Sequence, residues 1–322
     1  MKTPAFWQRK NRLAYALWPL SIFYETAAFY KRLFTTSVTL PVPVICIGNI
    51  TAGGSGKTPM ALYVGAKLKE KNITAFYVSR GYGGYVKGPM LVNPDKHFSV
   101  EVGDEPLLLA RVLPTVVGKD RLAAAQFAIK KGAKLLIFDD GFQNKTIFKK
   151  FSFLVMDGTI GIGNGFLLPA GPLRERLSQA LLRTHCAVVI NPLPDSPAIP
   201  EGKPTLFART KVSPLAEKLR GQKVVAFCGI AYPDKFKRTL LDIGANILAF
   251  EAFADHQPLS HKMLMPLIET ASKEQAYLVT TAKDAVRLPA FLREKVVVVD
   301  IELVFSNPEL ADAMIDYITG LV

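Results

Sequence analysis

The chain has 322 residues, of which 49% are hydrophobic and 21% are charged, so it is long enough for about two domains and can bury a core. This composition excludes an intrinsically disordered chain, a collagen-like repeat and a low-complexity scaffold. The three cysteines, Cys46, Cys186 and Cys228, are odd in number and far apart, which argues against a disulfide framework or a zinc site. The net charge of +13 favours anionic partners, such as nucleic acid, acidic lipid or a phosphorylated substrate.

Residues 1–40 form a basic and apolar N-terminal region that we expect to be associated with a membrane. Its only acidic residue is Glu25, and its six basic residues are Lys2, Arg9, Lys10, Arg12, Lys31 and Arg32. The uncharged run from Leu13 to Tyr24 has 12 residues and includes Pro19, whereas a spanning helix needs about 20 apolar residues. Because aromatic and cationic residues flank a short apolar run, we expect a helix that lies in the membrane interface. A buried N-terminal helix and a true membrane span remain open alternatives.

From Pro41 onward, short apolar runs alternate with helical stretches. The predicted strands are rich in β-branched and aromatic residues and cover 42–48, 73–79, 134–138, 151–156 and 186–190. Helices are predicted over Lys57–Glu70 and over Asp120–Lys131, which begins with an aspartate. Near-continuous apolar strands separated by helices predict an α/β fold with a parallel sheet covered on both faces. We assign residues 41–205 to this domain.

A turn-rich stretch, Asn191–Gly202, contains four prolines and is the best candidate for a linker. Beyond it the alternation restarts, with predicted strands at 224–230, 246–253, 276–281 and 296–303. Residues 206–322 are therefore predicted to form a second, smaller α/β domain.

The strongest motif lies between the first predicted strand and the first predicted helix of the sheet domain. Its eight residues are Thr51, Ala52, Gly53, Gly54, Ser55, Gly56, Lys57 and Thr58. They match the phosphate-binding loop G-x-x-x-x-G-K-[ST], except that Thr51 replaces the first glycine. In such a loop the backbone N–H groups wrap phosphate oxygens, Lys57 reaches the β- and γ-phosphates, and the Thr58 hydroxyl binds Mg²⁺. The pattern predicts a P-loop NTPase-like domain that binds a nucleoside triphosphate.

Two adjacent carboxylates, Asp139 and Asp140, follow the apolar run Lys134–Phe138. A phosphate-binding loop needs an acidic partner for magnesium at the end of a neighbouring strand. Two carboxylates at the end of a buried strand would destabilise the fold if they had no partner, because burial of unpaired charge is costly. We therefore predict that these residues take part in metal or phosphate chemistry.

Other candidate residues are less distinctive when each is taken alone. Asp104 and Glu105 precede an apolar stretch, so they fit either a chemical role or the capping of a helix. His256 lies in a turn after a predicted strand, where a single histidine is most often a surface residue. Two loops carry Arg80 and Arg174 among glycines or prolines. A planar arginine fork on such a backbone suits phosphate, although a solvated loop is the alternative.

The order of these motifs along the chain is distinctive. The segments are Gly48–Asn49, the loop 51–58, Ser79–Gly84, Gly103–Pro106, Asp139–Gln143, Leu168–Glu175, Asp255–His256 and Lys283–Arg287. This series closely resembles the tetraacyldisaccharide 4′-kinase family of lipid A biosynthesis. The resemblance covers nearly the whole chain, including the N-terminal region, and several of the motifs are peculiar to that family.

The resemblance implies a kinase that moves the γ-phosphate of ATP to the 4′-hydroxyl of tetraacyldisaccharide 1-phosphate, an acylated glucosamine disaccharide, and so makes lipid IVA. It implies ATP and Mg²⁺ as cofactors. It also implies a peripheral or monotopic protein at the cytoplasmic face of the bacterial inner membrane. No nucleic-acid partner and no obligate protein partner are implied.

The resemblance also implies roles for individual residues. Asp104 would be the base, paired with His256 from the second domain, and Lys57 and Asp139 would also be catalytic. The residues implied to organise the metal are Thr58, Glu105, Asp139 and Asp140. The residues implied to contact the substrate are Arg80, Tyr82, Arg121, Gln143, Arg174 and Glu175.

Four positions depart from the family's usual pattern. Asn144, Arg176, Gln257 and Ala282 stand where the family usually has histidine, proline, histidine and glutamate. None of the four is among the residues implied to be catalytic. Two other classes of protein remain as alternatives. One is a nucleotide-driven switch or partitioning ATPase, which shares the phosphate-binding loop, and the other is a nucleic-acid-binding module, which only the net charge favours.

Overall fold

A computed structural model describes residues 4–322 as two β-sheets with helices packed against them. In chain order the strands are β1 (Val44–Gly48), β2 (Ala75–Ser79), β3 (Met90–Leu91), β4 (Thr115–Val117), β5 (Leu135–Asp139), β6 (Phe151–Asp157), β7 (Cys186–Ile190), β8 (Thr205–Val212), β9 (Lys223–Cys228), β10 (Asn246–Ala252), β11 (Tyr277–Thr281), β12 (Val297–Val299) and β13 (Ile301–Phe305). The larger sheet has nine strands in the order β13-β8-β7-β6-β1-β5-β2-β4-β3, and the smaller has four in the order β10-β9-β11-β12. The expected mixed α/β fold with a parallel sheet is confirmed.

The helices lie between the strands and before the first of them. After a short 3₁₀ helix at Ala5–Trp7 they are α1 (Arg12–Leu33), α2 (Lys57–Glu70), α3 (Ser99–Val102), α4 (Asp104–Leu109), α5 (Arg121–Lys130), α6 (Leu177–Leu181), α7 (Pro214–Glu217), α8 (Pro233–Ile243), α9 (His261–Lys273), α10 (Ala282–Ala285), α11 (Ala290–Arg293) and α12 (Pro308–Thr319). Helix α5 begins as its sequence predicts, because the Asp120 carboxylate accepts hydrogen bonds from the backbone N–H groups of Leu122 and Ala123.

Strand β1 occupies the centre of the larger sheet and pairs in parallel with β5 on one side and β6 on the other. All five of its residues are buried, as is expected for a strand covered by helices on both faces. In the register of this pairing Ile47 lies opposite Asp139, so the carboxyl ends of β1 and β5 meet at the same edge. Ligands of open α/β sheets bind outside that edge.

Helix α2 covers one face of the larger sheet. Its buried residues include Met60, Val64 and Leu68, which are spaced four apart and therefore lie on one side of the helix. They pack in the same core cluster as Ile45 and Ile47 of β1. This packing fixes the amino end of α2 at the carboxyl end of β1.

The smaller sheet is parallel throughout and lies between two helices. Alternate residues of β9 point to opposite faces. Val224 packs with Phe236 and Leu240 of α8, whereas Val225 packs with Leu264 of α9 on the other face.

The division of strands between the two sheets differs from the sequence prediction in one respect. The stretch 296–303, predicted as one strand, is two strands in different sheets: β12 pairs with β11, and β13 pairs antiparallel with β8. Strand β13 alternates between buried and exposed residues, as an antiparallel strand at the edge of a sheet does. The larger sheet thus includes β8 and β13, and α12 packs against its core. Strand β8 begins at the predicted boundary, residue 205, and β13 and α12 lie beyond it. The three domain ranges themselves stay a prediction.

Helix α1 precedes the sheets and exposes much of its apolar surface. Its Asn11 cap accepts a hydrogen bond from the Ala14 N–H at 2.9 Å, and Pro19 lies within the helix. Of its side chains, Ala14 and Ser21 are buried. Its large exposed apolar residues are Leu13, Tyr15, Trp18, Leu20, Ile22, Phe23, Phe29, Tyr30 and Leu33. Within residues 4–322, no helix combines the length and hydropathy needed to cross a bilayer.

Candidate active site

The phosphate loop, Thr51–Thr58, runs from the carboxyl end of β1 into the first turn of α2. Gly56 has a φ of +81°, and a Cβ atom there would lie 2.5 Å from Ile190 Cδ1, so the loop needs glycine at this position. No side chain caps the amino end of α2, which leaves its first backbone N–H groups available to an anion. The Ser55 Oγ atom is buried and has no hydrogen-bond partner among residues 4–322. The loop therefore presents several donors to a phosphate.

The ammonium group of Lys57 lies beside two polar side chains at this edge of the sheet. Its Nζ atom is 3.2 Å from Asn49 Oδ1 and 3.5 Å from Asp140 Oδ1. Asn49 is fully buried, and its Nδ2 donates a hydrogen bond of 2.7 Å to the Thr51 carbonyl oxygen. Asn49 thus connects Lys57 with the first residue of the phosphate loop. Asn49 lies in one of the sequence motifs, but no role was predicted for it.

Asp139 ends β5 next to the phosphate loop. Its side chain is buried, and its Oδ1 atom has no hydrogen-bond partner in the described part of the chain. Burial, together with the negative charges of Glu105 and Asp140, raises the pKa of Asp139 to about 7. A buried carboxylate of this kind is stabilised when a cation binds beside it.

Asp140 differs from its neighbour because cations surround it. Burial alone would raise its pKa, but the charges of Lys57 and Arg174 outweigh burial and lower the pKa of Asp140 to about 2. Arg174 Nη1 lies 3.1 Å from each carboxylate oxygen of Asp140. The Asp140 backbone has a φ of +50°, and its N–H donates to the Ile47 carbonyl oxygen at 3.0 Å. The structure thus brings Lys57, Asp140 and Arg174 together, as predicted for a phosphate site.

Magnesium fits the oxygen atoms at this edge. The unpartnered Asp139 Oδ1 and the Thr58 hydroxyl, in the first turn of α2, are hard oxygen donors of the kind that Mg²⁺ prefers. Among residues 4–322, no three His, Cys, Asp or Glu side chains form a cluster that could hold a metal ion. Mg²⁺ usually takes one or two carboxylates and completes its shell with water and phosphate oxygens, so a larger protein cluster is not required.

Asp104, at the start of α4, contacts His256, which follows β10 of the smaller sheet. His256 Nδ1 lies 2.8 Å from Asp104 Oδ2, although 152 residues separate them in sequence. Asp104 is buried at the start of α4, but its side chain does not cap that helix. His256 has a φ of +60°, a conformation that non-glycine residues rarely adopt except where the surroundings require it. The simpler interpretations, a helix cap and a surface histidine, do not describe this pair.

Arg287 is a member of this group that sequence analysis missed. Its Nε donates to Asp104 Oδ2 at 2.8 Å, and its Nη1 donates to the Gly229 carbonyl oxygen at 3.0 Å. Asp284, which is fully buried, lies 3.1 Å from Arg287 Nη1. Burial alone would raise the pKa of Asp104, but its hydrogen bond to His256 and the Arg287 charge lower it. The only signal in the sequence was the run Lys283–Arg287 after β11.

Lys283 lies between His256 and the carboxylates of Glu105 and Asp255. Its Nζ atom lies 3.3 Å from His256 Nε2, 3.8 Å from Glu105 Oε1 and 3.7 Å from Asp255 Oδ1. Because an ammonium group only donates, His256 Nε2 accepts this contact and the ring proton lies on Nδ1, facing Asp104. Lys283, like Arg287, received no role from the sequence.

Three residues predicted to contact substrate have partners within the protein. Arg121 is buried and donates to the carbonyl oxygens of Val78, at 3.1 Å, and Asp139, at 2.9 Å. Gln143 donates to the Asn49 carbonyl oxygen at 2.7 Å and to Glu175 at 3.1 Å. Glu175 is buried and forms an ion pair of 2.6 Å with Arg183. In this structure these three side chains hold strands and loops in place, and their contact with substrate stays a prediction.

The other predicted substrate residues are accessible. Arg80 is exposed at the end of β2, and Tyr82 is 70% exposed with its ring 5.2 Å from the His256 ring. Arg174 is partly exposed beside Asp140. These three side chains are therefore placed where an acceptor molecule can reach them.

A cleft of about 660 Å³ lies between α1 and the loop that carries Arg174. We call it the α1 cleft. Its walls combine apolar and charged residues, namely Tyr24, Glu25, Thr26, Ala28, Phe29, Tyr30, Leu33, Lys145, Leu167, Arg174, Glu175, Gln179, Leu182 and Arg183. The cleft thus offers an apolar surface that leads to the cations of the site.

The four departures from the family pattern have structural roles. Asn144 Oδ1 accepts a hydrogen bond from the Thr146 N–H at 3.0 Å, and Gln257 Oε1 accepts one from the Ala254 N–H at 3.0 Å, so each closes a turn. Ala282 packs against an apolar cluster that includes Leu107 and Leu108 of α4. Arg176 forms an ion pair of 2.6 Å with Glu25 of α1.

Comparison with known proteins gives a consistent picture. A family model described as tetraacyldisaccharide-1-P 4′-kinase matches residues 13–319. The tetraacyldisaccharide 4′-kinase of Rhodospirillum rubrum is 40% identical over 322 residues, with 98% of this chain and 97% of the relative covered. That of Paramagnetospirillum magneticum is 41% identical over 323 residues, with 99% of each chain covered.

A solved structure shares the fold. It is the "apo" form of LpxK from Aquifex aeolicus in complex with ATP, which aligns with a TM-score of 0.81 and 28% sequence identity. The alignment covers 96% of this chain and 99% of that chain. Since the family match and the relatives span nearly its whole length, the chain belongs to the tetraacyldisaccharide 4′-kinase family.

Proposed function

We propose that the protein is a kinase that transfers the γ-phosphate of ATP to the 4′-hydroxyl of tetraacyldisaccharide 1-phosphate, making lipid IVA in lipid A biosynthesis. The observation that carries the proposal is the buried Asp104 carboxylate, held by His256 and Arg287 next to the acidic residues of the phosphate site. Glu105, its neighbour in sequence, lies near enough to Asp139 for its charge to raise the pKa of Asp139. A carboxylate beside a phosphate loop is what transfer to a hydroxyl group requires.

ATP is the proposed phosphate donor. The backbone N–H groups of the phosphate loop would bind its β- and γ-phosphates, and Lys57 would place positive charge on the terminal phosphate. The complex of the Aquifex relative with ATP supports this choice. Arg174, which already contacts Asp140, would add a second cation on the side of the acceptor.

Asp104 is the proposed base for the 4′-hydroxyl. His256 and Arg287 both bind Oδ2, so Oδ1 is the oxygen that would accept the proton. The lowered pKa of Asp104 keeps the carboxylate ionised at neutral pH, as a base must be. His256 orients the carboxylate, because its Nδ1–H donates to Oδ2 and leaves Oδ1 free to take the hydroxyl proton.

Mg²⁺ is the proposed metal. Thr58 and Asp139 would hold it, with Glu105 and Asp140 organising the surroundings. When bound, it would neutralise part of the charge on the phosphate oxygens.

The acceptor is an acylated lipid, and the surface of the protein suits one. The α1 cleft offers aromatic and aliphatic side chains for acyl chains, and its arginines suit the phosphate and sugar oxygens of the headgroup. The exposed apolar residues of α1, together with basic residues at its ends, favour a helix that lies in an anionic membrane interface. We therefore propose a peripheral or monotopic protein at the cytoplasmic face of the inner membrane.

The alternatives receive less support from the site. A switch or partitioning ATPase needs the phosphate loop but has no use for Asp104, for the histidine that orients it or for the α1 cleft. A nucleic-acid-binding module rests on net charge alone. Independence from nucleic acid and from an obligate protein partner stays a prediction.

The decisive test is transfer of labelled γ-phosphate from Mg-ATP to tetraacyldisaccharide 1-phosphate in mixed detergent micelles. Wild type is compared with Asp104→Ala, and Asp95→Ala serves as a control because Asp95 is an exposed aspartate outside the site. We expect labelled lipid from wild type and from Asp95→Ala, and little from Asp104→Ala. Hydrolysis of ATP without a lipid product would contradict the proposal and favour the switch ATPase.

A further inference from the structure

One segment, Leu167–Arg176, lies between α1 and the phosphate loop, and we call it the arginine loop. On the side of the phosphate loop it is fixed by backbone hydrogen bonds. The Ala52 N–H donates to the Pro172 carbonyl oxygen at 2.8 Å, and the Arg174 N–H donates to the Ile50 carbonyl oxygen at 2.7 Å. The position of the Arg174 side chain therefore depends on the same backbone that supports the phosphate loop.

On its other side the arginine loop is bound to α1. Ser21 Oγ donates to the Leu167 carbonyl oxygen at 2.8 Å, and Tyr24 Oη donates to the Arg174 carbonyl oxygen at 3.3 Å. The third contact is between charged side chains: Arg176 Nε and Nη2 donate to the two carboxylate oxygens of Glu25 at 2.6 and 2.7 Å. Helix α1 and the phosphate loop are thus joined through one short segment.

The Glu25–Arg176 pair differs from the other two contacts in its geometry. Ser21 and Tyr24 each donate to one main-chain carbonyl oxygen through a hydroxyl group, and the buried Ser21 Oγ also accepts a hydrogen bond from the Ala170 N–H at 3.2 Å. The paired guanidinium and carboxylate groups make two parallel hydrogen bonds, which fix both distance and orientation. This pair therefore constrains how far α1 can turn about its own axis.

Glu25 is also exceptional for its position. It is the only acidic residue among residues 1–40, and it lines the α1 cleft between Tyr24 and Phe29. A carboxylate on an apolar surface that faces anionic lipid is unfavourable unless it is paired. Its Arg176 partner neutralises it on the side of α1 where Tyr24, Phe29 and Leu33 line the cleft.

We propose that the Glu25–Arg176 ion pair positions the lipid acceptor. By holding α1 in one orientation on the arginine loop, the pair keeps the apolar wall of the α1 cleft and Arg174 in register, so that the sugar hydroxyl meets the terminal phosphate. Arg176 and Glu25 act through α1 and the arginine loop and are positioning residues. The inference rests on the proposed kinase function.

The expected effect is selective for the lipid. The Arg176 side chain is 62% exposed and that of Glu25 is 26% exposed, so losing the pair should leave the fold intact. Arg176→Ala and Glu25→Gln should raise the KM for the lipid about three- to fivefold, which is the upper range for an exposed pair. The KM for ATP should stay unchanged, because the backbone bonds between the arginine loop and the phosphate loop remain.

Two further variants test the geometry of the pair. Arg176→Lys keeps the charge but loses the two-pronged contact, so it should resemble Arg176→Ala more than wild type. The exchanged pair Glu25→Arg with Arg176→Glu should return the lipid KM to within about twofold of wild type, because the same two groups meet with their positions reversed. Lys223→Ala removes an exposed ion pair of the smaller sheet and is the matched control.

The experiment measures KM and kcat for lipid and for ATP in all variants, together with hydrogen exchange of the α1 amides. A higher lipid KM, faster exchange over residues 20–30 and recovery in the exchanged pair would support the inference. Equal changes in the lipid and ATP constants would show a merely structural role and overturn it. Normal lipid kinetics in Arg176→Ala would contradict the inference alone. Absence of lipid product from wild type would contradict the proposed function and the inference with it.

Discussion

The two halves of the candidate site are built in opposite ways. The nucleotide half comes from continuous segments, since β1, the phosphate loop and α2 follow one another and β5 supplies the acidic residues beside them. The acceptor half is assembled from distant parts, because Asp104 meets His256 and Arg287 across separations of 152 and 183 residues. The first half is therefore visible as a sequence motif, whereas the second exists only in the folded chain.

This difference predicts how substitutions should behave. Residues of the nucleotide half are proposed to contact phosphate directly, so their removal should affect the reaction and leave the core unchanged. Residues of the acceptor half contact each other across the two sheets, so their removal should affect both the reaction and the contact between the sheets.

The largest effect should come from Lys57→Ala. We expect kcat/KM to fall by about 10³-fold, because a positive charge beside the transferred phosphate stabilises the transition state in a water-excluded site. The variant should still fold, with a melting temperature lowered only by the loss of the ion pair between Lys57 and Asp140. Lys71→Ala, which removes a lysine at the other end of α2, is the control and should retain activity. Activity near wild type in Lys57→Ala would contradict the assignment of the nucleotide half.

Asp104→Asn should have the next largest effect. Asparagine keeps the size of the side chain but cannot accept the hydroxyl proton, so we expect kcat to fall at least about 10²-fold. Binding of ATP, measured by calorimetry, should be unchanged. A loss of less than tenfold would reduce Asp104 to a structural residue and would remove the distinction between the two halves.

Arg287→Ala should affect catalysis less and stability more. We expect kcat to fall by roughly tenfold, because Asp104 would lose one of the two groups that orient it. Breaking a buried ion pair by removing one partner typically costs about 3–5 kcal/mol of unfolding free energy, and Asp284 would also lose its ion-pair partner. Urea unfolding measures this loss, and Arg287→Lys should recover part of it. An undiminished stability would show that the sheets do not depend on this contact.

The smallest effect is the pH dependence of stability due to Asp140. Its pKa of about 2 in the folded protein lies below the ordinary value of 3.8, so between these pH values the unfolded chain binds more protons than the folded one. The stabilisation by Asp140 is therefore complete above pH 4 and is lost as the pH falls toward 2. Asp140→Asn should show a shallower fall in unfolding free energy over this range. Parallel curves for the two proteins would contradict the ion pairs with Lys57 and Arg174.

Much of the fold could be predicted from the sequence, because hydrophobic period and local signals decide it. Helix α2 and strand β7 have the bounds that were predicted, and Asp120 caps α5 as an aspartate at that position should. The break at Asp300 could not be predicted, since Val297–Val299 and Ile301–Phe305 form one strand-like stretch in which only Asp300 and Glu302 are charged. Their assignment to different sheets depends on partners far away in sequence.

The candidate site shows the same limit. Lys57 and Asp139 could be placed because the phosphate loop and the end of a neighbouring strand have known positions in such folds. Arg121 resembled a substrate residue, yet it is buried and binds the ends of two strands. Arg287 could not be recognised, because nothing in a short polar run tells which carboxylate it will reach. Burial and long-range contact, which one sequence does not reveal, decide these cases.

Strand β13 and helix α12 complete the larger sheet and its core although they follow the smaller sheet in the chain, and this order affects folding during synthesis. Leu303 of β13 and Ile315 of α12 belong to the same core cluster as Ile45 of β1. During synthesis the ribosome produces β1 and the phosphate loop early, but this core stays incomplete until residues 301–319 have emerged. The smaller sheet has by then been made, so we expect it to fold first. Fragments that end before β13 should therefore leave the central strands exposed to chaperones and proteases.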